Sequence, residues 1–117
     1  MTAGEEEGTQ RAMVLDPAGK IAGEVEALLG ELGGWDVLTG PEEWAGSPAA
    51  VKEGKPAVVF VNLDAGLEEA LETAAGIANL SPQSALLGVS EMERDRGGEW
   101  MIRGVRSGFR DFLGFPL

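Results

Sequence analysis

Short, unbroken runs of apolar residues alternate along this chain with stretches whose apolar residues recur every three or four positions. That alternation is the tightest constraint on what the chain can fold into. The runs are AMVL at 12–15, VVFV at 58–61, ALLGV at 85–89 and FL at 112–113, with WDVLT at 35–39 as a further short strand. Each is too short for a stable helix, and continuous hydrophobicity marks strands covered on both faces. After the first run, Ile21, Val25, Leu28, Leu29 and Leu32 share one helical face over 17–32, and Gly33-Gly34 stops the helix. Ser47-Pro48, read as N-cap and first-turn proline, predicts a short helix over 47–53 with Gly54 as its stop and Trp44 beneath it. Leu67, Ala70, Leu71, Ala74 and Ala78 outline a third helix, which Ser81-Pro82 breaks. A fourth helix is expected within 91–107, with Gly97-Gly98 fraying its first half, Gly108 ending it and a last strand at 111–114.

Five strands with helices between them predict an α/β fold: a parallel sheet between two helical layers, a three-layer sandwich. The natural strand order is 2-1-3-4-5, as in flavodoxin-like folds. At 117 residues the chain fits one domain, expected over 11–117 behind a flexible acidic tail, MTAGEEEGTQ, at 1–10. The net charge of −11 argues against nucleic acid as a partner, because phosphate neutralisation needs a basic surface. With no cysteine and no histidine, thiolate and imidazole metal sites, serine–histidine triads and histidine bases are excluded. No apolar stretch is long enough to span a bilayer and no secretory signal opens the chain, so the expected location is the cytoplasm.

In open parallel sheets, ligand sites form outside the carboxyl ends of the strands. Four such positions read Asp16-Pro17, Asn62, Ser90 and Phe115-Pro116. This pattern resembles the CheY-like receiver domain of two-component signalling. The resemblance implies an acidic pair after the first strand, a phosphoacceptor Asp after the third, Ser or Thr after the fourth and Lys-Pro after the fifth. Here the second acid is Pro17, the acceptor is the uncharged Asn62 and the lysine is Phe115; Ser90 alone keeps its type. A receiver's divalent cation would lack a carboxylate ligand, and an amide is a poor nucleophile. The resemblance therefore implies a degenerate receiver, a pseudo-receiver, without metal, cofactor or catalysis.

Each surviving residue also has a structural account, and that account outweighs the functional one. Asp16-Pro17 makes a strong helix start, with Asp as N-cap. Ser90-Glu91-Met92-Glu93 matches a capping box, and Asn62 can bond loop backbone. Asp64 is a candidate displaced phosphoacceptor, with capping of the helix near Gly66 as its plainer role. The segment Asp16-Pro17-Ala18-Gly19-Lys20 fails as a phosphate loop, lacking both the earlier glycine and the hydroxyl after lysine. No dinucleotide fingerprint is present either.

Five of the nine basic residues, Arg94, Arg96, Arg103, Arg106 and Arg110, lie near the end of an otherwise acidic chain. Arg103, Arg106 and Arg110 recur at helical-neighbour spacing and form a candidate partner surface, with a solvated helix face as an equal alternative. The closing residues 104–113 with Phe115-Pro116-Leu117 resemble the receiver-like domain that precedes the ATPase in TadZ/CpaE-type pilus-assembly proteins. A receiver's final helix is expected to be absent, leaving part of the sheet apolar and open. The resemblances imply a non-phosphorylatable module for interaction, localisation or dimerisation, with a second copy or a downstream ATPase or output domain as partner. The alternatives are an atypical receiver phosphorylated on Asp64, and a small-molecule sensor using the strand-end pocket.

Overall fold

The structure, a computed structural model, describes residues 10–91 and 99–114. Five parallel strands, β1 (Gln10–Leu15), β2 (Trp35–Thr39), β3 (Val58–Asn62), β4 (Ala85–Ser90) and β5 (Phe109–Gly114), form one sheet in the order β2-β1-β3-β4-β5. Four helices occur among the described residues: α1 (Ala22–Leu32), α2 (Ser47–Gly54), α3 (Leu67–Leu80) and α4 (Glu99–Ser107). Short 3-10 turns at Trp44–Gly46 and Leu63–Ala65 precede α2 and α3. The flavodoxin-like sandwich read from the hydrophobic pattern is the architecture observed.

Side chains alternate across the strands, so the sheet divides the core into two layers. Met13, Leu15, Val59, Val61 and Leu86 pack with Val51 of α2 and with Ala70, Leu71, Ala74 and Ile77 of α3. Ala12, Val14, Phe60 and Val89 pack on the other face with Ile21, Val25 and Leu29. Three helices cover the first face and α1 the second. Leu28 and Leu32, expected within the buried stripe of α1, stay 37% and 67% exposed at the flank of that single helix.

Several boundaries differ from the sequence expectation. Helix α1 begins at Ala22 instead of Pro17, because residues 17–20 make a turn closed by Gly19 N–H donating to the Asp16 carbonyl at 2.8 Å. Ser47 is the first residue of α2, not its N-cap; it is buried and its hydroxyl donates to the Glu43 carbonyl at 3.4 Å. Helix α2 ends through Lys55 at φ 51°, a left-handed residue one position beyond the expected glycine stop. Gln10 already belongs to β1, so the expected tail loses its last residue. Residues 1–9, the first half of the expected fourth helix at 92–98 with Arg94 and Arg96, and the Phe115-Pro116 turn lie outside the described residues.

Strand β5 starts at Phe109, two residues early, and a bulge interrupts its pairing. Leu86 faces Phe109, and Leu87 faces Asp111. In a regular strand, residues three apart point to opposite faces. With Arg110 as the extra residue, Phe109 and Phe112 both join the face covered by α2, α3 and α4, with ring centroids 5.6 Å apart. The Phe112 ring sits where a Cβ on Gly88 or Gly104 would fall, at 2.8 Å and 2.6 Å. Two glycines thus let β4, β5 and α4 close on one aromatic side chain.

Candidate functional site

A parallel sheet brings all its carboxyl ends to one edge. In this strand order the chain leaves β1 and β3 toward opposite sides, opening a crevice between them. Asp16, Asn62, Asp64 and Ser90 meet there, which brings together the positions after β1, β3 and β4.

Asp16 is the first link. Its Oδ2 accepts from the backbone N–H groups of Ile21 at 2.6 Å and Ala22 at 3.2 Å, so it caps α1 from five residues away despite the turn that displaces the helix start. Its Oδ1 accepts from Asn62 Nδ2–H at 2.8 Å. Asn62 is buried, and its Oδ1 accepts from Asp64 N–H at 2.9 Å, closing the turn after β3. The two bonds fix the amide orientation, since reversing it would set oxygen against oxygen and donor against donor.

Asp64 does not cap the following helix. The cap position is Gly66, which has no side chain to offer. The exposed Asp64 carboxylate reaches instead across to β4, where Oδ1 accepts from Ser90 Oγ–H at 2.7 Å and Oδ2 from Glu91 N–H at 2.7 Å. The capping-box partner of Ser90, Glu93, lies outside the described residues. Two residues that the sequence reading did not choose as site residues complete the edge. Lys20 Nζ pairs with Glu91 Oε2 at 2.5 Å, joining the loop after β1 to the end of β4. The Glu91 carboxylate, first by its hydrogen bond and then by its charge, holds the Lys20 ammonium above its ordinary pKa, with a smaller contribution from Asp64. The available sequence signal was positional: Lys20 lies in the turn after β1, and Glu91 directly follows β4.

A divalent cation fits this arrangement poorly. Asp16 directs both oxygens at N–H donors, Asp64 directs both at donors at and just after the end of β4, and Asn62 presents its NH₂ toward the Asp16 oxygen a cation would take. No cluster of three or more Asp, Glu, His or Cys suited to a metal occurs among the described residues. A cleft of about 240 Å³ beside the crevice, between the ends of β1 and β2, is lined by Asp16, Pro17, Thr39 and Glu42 among others.

The arginines do not share one helical face. Arg103 turns toward α3 and pairs with Glu68 at 2.6 Å. That ion pair holds the Glu68 carboxyl below its ordinary pKa, chiefly through the hydrogen bond. Arg110 lies past the end of α4 on β5. Arg106 and Arg110 instead flank a groove of about 430 Å³ between α4 and β5, with Ile102, Val105, Asp111 and Phe112 in its walls. Ile102 and Val105 are 55% and 59% exposed. No helix among the described residues is long and apolar enough to cross a membrane.

No protein-family model and no curated protein matches the sequence. Solved structures do match. A response regulator from Thermotoga maritima superposes with a TM-score of 0.78 at 23% identity, covering 93% of this chain and 87% of that one. A putative pilus assembly-related protein from Burkholderia pseudomallei gives 0.77 at 20% identity, covering 94% and 81%. A CheY-like protein, tadZ, from Pseudomonas aeruginosa gives 0.73 at 15% identity, covering 93% and 89%. These proteins share an architecture with the chain across nearly its whole length, and its fold is that of a CheY-like receiver domain.

Proposed function

We propose that this chain is a pseudo-receiver, a non-catalytic module that works by protein–protein contact without being phosphorylated. One observation carries the reading: every oxygen of the Asp16 and Asp64 carboxylates already accepts a hydrogen bond, from backbone N–H groups, from the Asn62 amide or from the Ser90 hydroxyl. Phosphoryl transfer would need a free carboxylate nucleophile and a cation to offset the incoming charge. Asp64, the alternative acceptor, would first have to give up two hydrogen bonds.

Contact is assigned to the α4–β5 groove. Its apolar centre, Ile102, Val105 and Phe112, is bordered by both signs of charge, Arg106, Arg110 and Asp111. A patch carrying both signs about an apolar centre can meet a second copy of itself across a two-fold axis. The same surface suits an attached output or ATPase domain, and the likeness to two pilus-assembly structures favours a place in an assembly of that kind.

Amide NMR during addition of Mg²⁺ and then beryllofluoride tests the first half, and light scattering over a wide concentration range tests the second. The expected results are no shifts centred on Asp16, Asn62, Asp64 and Ser90, and a concentration-dependent mass abolished by Ile102→Asp. Shifts at those residues would overturn the unphosphorylated reading. A monomer at every concentration would remove the second copy as partner.

A further inference from the structure

We propose that the end of β4 and the loop after β1 form a small anion receptor, and that this chain keeps the receptor filled with its own Asp64 carboxylate. Two donors form the receptor: Ser90 Oγ–H at 2.7 Å from Oδ1 and Glu91 N–H at 2.7 Å from Oδ2. Each carboxylate oxygen thus takes its own donor, as a free carboxylate or phosphate oxygen pair would. The Glu91 side chain, which would otherwise repel an anion, is held by Lys20 Nζ at 2.5 Å. Asp64 itself is set in place from behind, because Asn62 Oδ1 accepts its backbone N–H at 2.9 Å and Asp16 holds Asn62 in turn. The carboxylate is therefore a tethered ligand. The loop after β3 carries it across the crevice, and an external anion would have to displace an intramolecular competitor present at high effective concentration.

The occupied receptor has two consequences. It ties the end of β3 to the point where the chain leaves β4, and it closes the crevice to small oxyanions such as acetate or inorganic phosphate. The inference rests on the unphosphorylated reading of the same crevice, but its test adds no phosphodonor and no metal. Labelling of the wild-type protein would defeat that reading, whereas a failed anion response in a variant would defeat only this one.

The experiment compares the wild type with Asp64→Ala by amide NMR and hydrogen exchange. Sodium acetate or phosphate is titrated in against chloride at matched ionic strength. In Asp64→Ala the Glu91 amide is expected to exchange on the order of tenfold faster or more. Acetate or phosphate should then shift the Glu91 amide saturably and slow its exchange again, while the wild-type amide does not respond. Should Asp64→Ala not fold, Ser90→Ala in the intact chain removes one donor and is expected to speed Glu91 exchange severalfold. Unchanged Glu91 exchange in the folded variant would overturn the proposal, and so would an anion response equal in variant and wild type or matched by chloride.

Discussion

Asn62→Asp would restore to β3 the acid that the resemblance to receivers leads one to expect, and the structure sets what that restoration costs. Asn62 is 1% exposed, and its NH₂ donates to Asp16 at 2.8 Å. The substitution removes this charge-assisted bond, worth about 1.5–3 kcal/mol, and sets two carboxylates at hydrogen-bonding distance. The bond from Asp64 N–H survives, because an aspartate oxygen can accept it as the amide oxygen does. Protonating one member of the acidic pair relieves the repulsion and caps the penalty. Neutralising a carboxylate of ordinary pKa about 3.9 costs about 1.4 kcal/mol per pH unit, so the cap is about 4 kcal/mol at pH 7 and about 1.5 kcal/mol at pH 5. The sign follows from linkage. The pair's folded-state pKa is raised, the native state binds more protons than the unfolded one, and stability falls as pH rises above the ordinary carboxylate range. Urea denaturation should therefore show the variant about 3–4 kcal/mol less stable than the wild type at pH 7, with most of the difference gone at pH 5. The corresponding loss in Tm at pH 7 is roughly 10 °C or more. Millimolar Mg²⁺ should restabilise the variant, which now offers two carboxylates, and leave the wild type unmoved. A variant as stable as the wild type at both pH values would refute the idea that the Asp16–Asn62 bond holds this edge together.

Two further outcomes are expected. Gly88→Ala would set a methyl 2.8 Å from Phe112 Cδ1 and 2.9 Å from Leu63 Cδ1; overpacking should cost about 1–3 kcal/mol by urea denaturation. Glu68, held low by Arg103, should titrate below the ordinary Glu range in carboxyl NMR and return to it in Arg103→Ala; its stabilising contribution is present at neutral pH and lost as pH falls through the depressed value.

The two-sided core was legible because unbroken runs such as residues 58–61 can be satisfied only between two layers, while the strand order was legible only by analogy with flavodoxin-like folds. The convergence of Asp16, Asn62 and Ser90 was legible for a related reason: parallel strands put their ends together whatever the side chains are. The destination of the Asp64 carboxylate was not. A helix begins nearby in sequence and invites a capping role, but the oxygens are taken by β4, 26 residues away, and local spacing carries no record of that pairing. The Lys20–Glu91 pair was hidden in the same way, since it closes only once β1, β3 and β4 lie side by side. The displaced start of α1 shows the reverse. Asp16 keeps its capping chemistry while the turn at 17–20 moves the helix away, so residue type foretold the bond and not the boundary. Arg110 fell off the expected helical face because Gly108, at φ 115° and legible in the sequence as the helix stop, turns the chain into β5 before it, and a three-and-four spacing counted across that stop does not describe one face.

The bulge at Arg110 matters beyond the two rings it aligns. β5 is a border strand of the sheet, and such a border exposes backbone groups that can template the addition of foreign strands. The unpaired Arg110 breaks the regular ladder, and it and the adjoining Asp111 are both exposed and charged. The border is thereby made a poor seed for fibre-like growth. Side chains, not main chain, are left as the means of recognition on this flank, so contacts made there can be tuned one residue at a time and weakened by salt.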